Sequence, residues 1–131
     1  MPIAQLVLKA CQARENAHAP FSNFRVGAAL MGGDGAIYTG CNIESSSLGL
    51  TICAERVALS KAISEGEKIF HAIAIASSTR KKCMPCGACR QMLWDLAGNI
   101  DVILIENDQP VQQIKLMDLL PQAFERSDLP E

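Results

Sequence analysis

Five residues in two short stretches have the types and spacing for joint chemistry. "TICAERVAL", residues 51–59, holds Cys53, Glu55 and Arg56, and "MPCGACRQML", residues 84–93, holds Cys86 and Cys89. A C-x2-C pair alone serves zinc binding and dithiol redox chemistry alike. Cys83 extends it to a C-x2-C-x2-C run, a spacing used in iron–sulfur ligation, but Leu93 stands where the fourth cysteine belongs. Three buried small residues with no ligand are the plainest alternative. The placement of the cysteines argues for more. Cys53 and Cys86 each open a predicted helix, where backbone N–H groups and the helix dipole favour thiolate over thiol. Two such helix starts at one end of a sheet would gather three thiolates. That donor set suits Zn2+, with a fourth position open for water, the layout of a catalytic rather than a structural site.

Glu55 and Arg56 fit that arrangement. A carboxylate two residues past a ligand reaches the open position without coordinating, and takes up and releases protons there. Three thiolates leave a zinc site net negative and weakly acidic. An arginine hydrogen-bonded to the sulfurs withdraws charge and restores acidity, the role expected of Arg56. The alternatives are a first-turn glutamate favoured by the helix dipole and a solvated arginine. Cys11 and Cys41 are expected in or near the core, Cys83 as an unligated loop thiol, and His18 and His71 as structural or exposed. Trp94 is expected to pack in a core or interface.

The elements that must position these groups follow from periodicity. Residues 3–17 carry Ile3, Leu6, Val7, Ala10, Ala13 and Ala17 at helical spacing, ending before Pro20. "RVGAALMG" and "AIYTGCNI" read as strands joined through Asp34-Gly35, a hairpin signal. A helix is predicted over 52–64 with a stop at Gly66, then a buried strand in "IFHAIAIAS". "CGACRQMLWDLAG" predicts a second helix ended by Gly98, "IDVILIEN" another strand, and "IKLMDLLP" a short helix closed by Pro121. The last ten residues carry no strong pattern. A mixed sheet between helices follows, in one domain over residues 1–131.

Composition narrows the partners. A net charge of -2 offers no basic footprint for nucleic acid, and no apolar run approaches the roughly 20 residues of a membrane span. With no basic leader and no cleavage site at the N-terminus, the expected location is the cytoplasm. There, six cysteines are more readily ligands or core residues than disulfides.

"CAER" followed by "PCGACRQ" resembles the zinc-dependent cytidine deaminase family, whose signature is a His or Cys ligand, a glutamate two residues on, and P-C-x-x-C. "PFSNFRVGAAL", "GCNIE", "LTICAERVAL" and "LLPQAF" extend the likeness to the small nucleoside deaminases over most of the chain. The resemblance implies an α/β/α sandwich of three layers around a mixed five-stranded sheet, with one Zn2+ per chain on Cys53, Cys86 and Cys89. It implies that water attacks C4 of cytosine and ammonia leaves, with Glu55 moving the protons, as a step of pyrimidine salvage on cytidine or deoxycytidine. By the same likeness Asn42 and Glu44 bind ribose hydroxyls from one face of a strand end, and Phe24 packs near sugar or base. The backbone N–H groups of Ala54 and Cys86 serve the base or the attacking oxygen. Phe124 matches a position that reaches into a neighbouring subunit and stacks on its base, which implies a homotetramer with shared sites. Leu48 replaces a usual aromatic, and Met84 a usual serine or threonine. These departures leave room for a modified cytosine nucleoside, such as a blasticidin-type antibiotic, as substrate. A non-catalytic zinc-binding relative is the remaining alternative.

Overall fold

The computed structural model describes residues 2–130; the outermost residues of the expected domain, Met1 and Glu131, lie outside them. Helix α1 (Ile3–Arg14) is followed by the hairpin β1 (Val26–Gly32) and β2 (Ile37–Cys41), helix α2 (Ala54–Ser64), β3 (Phe70–Ser77) and helix α3 (Gly87–Ala97). Then come β4 (Asp101–Glu106), β5 (Gln109–Lys115) and the single turn α4 (Leu116–Leu119). The five strands form one sheet in the order β2-β1-β3-β4-β5. Every pairing is antiparallel except β3 with β4. That parallel pair requires a crossover, which α3 supplies.

Alternation along the central strands builds the layers. Val26, Ala28 and Leu30 of β1, with Ile73 and Ile75 of β3 and Val102 and Leu104 of β4, pack under α2 and α3. Ala29, Met31, Ala72, Ala74 and Ala76 take the opposite face, under Leu6, Val7 and Ala10 of α1. All seven residues of β1 are buried because helices cover both faces. Fully buried side chains such as Leu6, Leu59 and Ile73 contribute roughly 1.5–3 kcal/mol each. The expected three-layer sandwich and its mixed five-stranded sheet are thus present.

Several expected boundaries are corrected. The first helix ends at Arg14 rather than at 17, where the buried Arg14 guanidinium donates to the Ser77 carbonyl at 3.0 Å and to Asp108 Oδ1 at 3.1 Å. Arg14 and Arg80 hold the Asp108 carboxyl below its ordinary range and tie α1 to the β4–β5 turn. The periodic reading found four strands and missed β5. Its residues are almost all exposed, so no apolar alternation marks them, and Pro110 sits where only an edge strand accepts it. Asn107 and Asp108 both take positive φ, 51° and 61°, and close the hairpin without a glycine to signal it. Ile114 and Lys115, expected in a helix, finish this strand, and only Leu116–Leu119 are helical. The second strand stops at Cys41 instead of running to 43; Ile43 keeps isolated bridges to His18 and Ile52.

Candidate metal centre and active-site cleft

Cys53 and Cys86 are the N-cap residues of α2 and α3, both in extended backbone, and neither side chain caps its own helix. Their sulfurs are therefore free for another partner, while the first-turn N–H groups lie beside them. Cys89, one turn into α3, is fully buried. The three Sγ atoms lie within 4.8 Å of one another, with Cys53 and Cys86 3.8 Å apart. A tetrahedral zinc with Zn–S bonds of about 2.3 Å has edges of about 3.8 Å. Donor type, number and spacing all fit Zn2+, and one zinc per chain follows.

The electrostatics suit a thiolate cluster. The Cys53 thiol is pushed down to about 5, first by a hydrogen bond with Cys89 and further by Arg56. Cys89, paired with that anionic sulfur and buried, moves up. Arg56 places Nη2 3.7 Å from Cys53 Sγ and 3.3 Å from the Thr51 carbonyl, while its Nε is buried with no partner of its own. A guanidinium held there adds positive charge beside the Cys53 sulfur.

Phe24, Val26, Asn42, Thr51, Cys53, Ala54, Glu55, Cys83, Met84 and Cys86 line one cleft of about 190 Å³. Glu55 is only 4% exposed. Burial is the main force pushing its carboxyl up to about 7, with the Cys53 charge adding to it. A carboxyl poised there suits both taking and giving a proton near neutral pH.

The remaining expected site residues divide. Asn42 accepts at Oδ1 from the Val26 N–H at 2.8 Å and donates from Nδ2 to the Phe24 carbonyl at 2.7 Å. Glu44 lies outside the cleft lining and accepts from the Phe21 and Ser22 N–H groups at 2.9 and 3.1 Å and from the Ser22 hydroxyl. Both side chains thus bond to the same loop, residues 21–24, whose Phe24 lines the cleft. Phe124 is not brought to the cleft of its own chain. It is 58% exposed on the tail, which Gln91 holds to α3 through the Phe124 carbonyl at 2.8 Å and Trp94 through Glu125 at 2.9 Å.

Sequence reasoning missed Val26 and Thr51 as parts of the cleft wall. Both stood inside quoted motifs, Thr51 in "TICAERVAL" and Val26 in "PFSNFRVGAAL", where Val26 read as an ordinary strand residue. Cys83, expected as a loop thiol, is half-buried on the cleft wall, and burial pushes it up to about 11.

Comparison with known proteins gives one answer. A family model described as "Cytidine and deoxycytidylate deaminase zinc-binding region" matches residues 2–105. A cytidine deaminase of Sporosarcina psychrophila is 42% identical over 130 residues, 98% of this chain and 96% of its own length. One from Halalkalibacterium halodurans is 46% identical, covering 95% of both chains. The crystal structure of cytidine deaminase from Burkholderia pseudomallei superposes with a TM-score of 0.89 at 44% identity, covering 95% of this chain and 100% of that one. The Mycobacterium tuberculosis cytidine deaminase structure gives 0.85 at 39% identity, covering 95% and 98%. With its three sulfurs and buried carboxyl set on two helix starts, the chain belongs to the zinc-dependent cytidine deaminase family.

Proposed function

We propose that this protein converts cytidine and deoxycytidine to uridine and deoxyuridine by hydrolysis at C4. The observation that carries the reading is the buried Glu55 carboxyl on the wall of a cleft that also holds the Cys53 and Cys86 sulfurs. When bound to Cys53, Cys86 and Cys89, zinc supplies the Lewis acidity that makes water a nucleophile at neutral pH. The residues do the rest. Glu55 accepts a proton from the water that adds to C4, returns it at N3, and carries a second proton to the departing amine, so water enters and ammonia leaves. Arg56 keeps the sulfurs from spending too much charge on the metal. The N–H groups of Ala54 and Cys86, at the cleft-facing helix starts, donate to the base or the attacking oxygen. Phe24 packs beside the ring or sugar, while Asn42 and Glu44 face the ribose, Glu44 exchanging a loop contact for a sugar hydroxyl. Relatives that are cytidine deaminases favour this reading over the antibiotic-directed and non-catalytic alternatives. We expect zinc-loaded protein to release ammonia from cytidine and deoxycytidine with loss of cytosine absorbance. No release from either, at one zinc per chain, would overturn the activity.

The same reading extends to assembly. The chain works as one domain in a homotetramer, in cytoplasmic pyrimidine salvage, with neither nucleic acid nor membrane as partner. Among the described residues no helix is long and apolar enough to cross a membrane. Two features support shared sites. The cleft, about 190 Å³, is smaller than the roughly 300–1,000 Å³ typical of ligand pockets, which leaves room for a neighbouring chain to complete it. Exposed apolar side chains stand close in sequence to cleft-lining residues and on the tail, among them Phe21, Leu48, Leu50 and Phe124. Phe124 stacks on the base bound by a neighbouring copy. Aromatic pairs add about 0.5–1.5 kcal/mol beyond area burial, so Phe124→Ala is expected to raise KM several-fold with zinc intact. A fully active monomer by light scattering would refute the shared site.

A further inference from the structure

We propose that Gly40, in β2, is a positioning residue of the metal centre: its missing side chain lets the first turn of α2 lie directly on the strand. That contact sets Cys53 and Glu55 at the level where they meet Cys86 and Cys89. A Cβ built at Gly40 would fall 2.4 Å from the Ala54 carbonyl oxygen, 2.5 Å from the Ala58 nitrogen and 3.0 Å from Val57 Cβ. The first two are helix backbone and cannot swing aside. Ordinary contact begins near 3.4 Å, so the start of α2 would have to rise by about 1 Å. Ala54 and Glu55 are in that first turn, and Cys53 caps it.

The displacement matters because the ligands come from two helices with different anchors, α2 on β1 and β2, and α3 against α2 and α4. Cys86 and Cys89 belong to α3, and the loop before it is held by Arg90, which donates to the Pro85 and Leu119 carbonyls at 2.7 and 2.8 Å. Raising α2 alone therefore moves one thiol against the other two, and the carboxyl with it. Metal–ligand distances tolerate only about 0.2 Å. Misplacing a catalytic group by about 1 Å costs on the order of 10²-fold in rate.

Gly27 separates positioning from packing. It sits on the opposite face of the sheet, where a Cβ would fall 2.1 Å from the Ala10 carbonyl oxygen and 2.4 Å from the Arg14 nitrogen. Gly27→Ala thus imposes an equally severe backbone clash on α1, which carries no metal ligand. The inference rests on the zinc deaminase reading, but its test does not need turnover. Zinc affinity per folded chain is measured by chelator competition, and Co2+ replaces zinc to report sulfur–metal charge-transfer absorption. Gly40→Ala is expected to weaken zinc about 10–100-fold and alter the Co2+ spectrum, whereas Gly27→Ala keeps both at parental values despite a similar loss of stability. If Gly40→Ala does not fold, Ala58→Val thickens the same helix–strand contact more gently and should weaken zinc several-fold. Parental affinity in folded Gly40→Ala, or in Ala58→Val where that replaces it, would overturn the proposal. So would an equal zinc loss in Gly27→Ala. A parent that binds zinc tightly but deaminates nothing would overturn the activity alone.

Discussion

Glu55→Gln is expected to yield a folded protein with one zinc per chain and turnover of cytidine reduced by about 10²–10⁴-fold or more. General acid–base catalysis is worth that much for a single transfer, and here one group serves several. Glutamine matches glutamate in shape but cannot exchange a proton. The carboxyl is buried on the cleft wall, so no solvent base replaces it. Folding should not suffer. Burial raises the Glu55 carboxyl from 4.5 to about 7 in the folded chain, so between those values the folded state holds a proton that the unfolded state has released. The contribution of Glu55 to stability therefore falls as pH rises through that window. Glutamine does not titrate, so the variant should be at least as stable as the parent at pH 8. Retained zinc with lost turnover in a thermal and metal analysis would separate chemistry from structure. Turnover within threefold of the parent would remove Glu55 from the proton path.

How much of this was legible in the sequence depended on whether the physical signal was local. The metal ligands were legible because cysteine, proline and helix-start chemistry all fall within a few residues of each other. The β1–β2 hairpin announced itself through Asp34-Gly35 and the buried strands through unbroken apolar runs. The fifth strand was not legible from periodicity, because an exposed edge strand buries too little to impose alternation; only the family likeness supplied it. The place of Asn42 was half legible. Its neighbours read as a strand, but its two backbone contacts cross to residues 24 and 26 and depend on tertiary folding. Gly40 was invisible as a site residue. A glycine in a strand signals close approach by something, yet only the fold says that the something is the helix carrying Cys53.

Cys86→Ala should lose zinc and stability together. Cys86 caps α3 and faces the cleft, so its sulfur is the exposed corner of a cluster whose other corners are half-buried Cys53 and fully buried Cys89. Removing it leaves two sulfurs, too few to hold zinc against solvent. Metal-site binding is worth on the order of 10 kcal/mol where it is coupled to folding, and here the site joins the starts of α2 and α3. Metal content should fall toward zero after dialysis, and the melting temperature should drop to that of chelator-treated parent. Cys83→Ala is the matching control. That thiol lines the same cleft three residues earlier and is pushed up to about 11 by burial, so it resists the thiolate form that zinc requires. Its removal should leave one zinc per chain. Full zinc retention in Cys86→Ala, or zinc loss in Cys83→Ala with Cys86 intact, would show that the ligand set is wrong, and with it the chemistry assigned to the cleft.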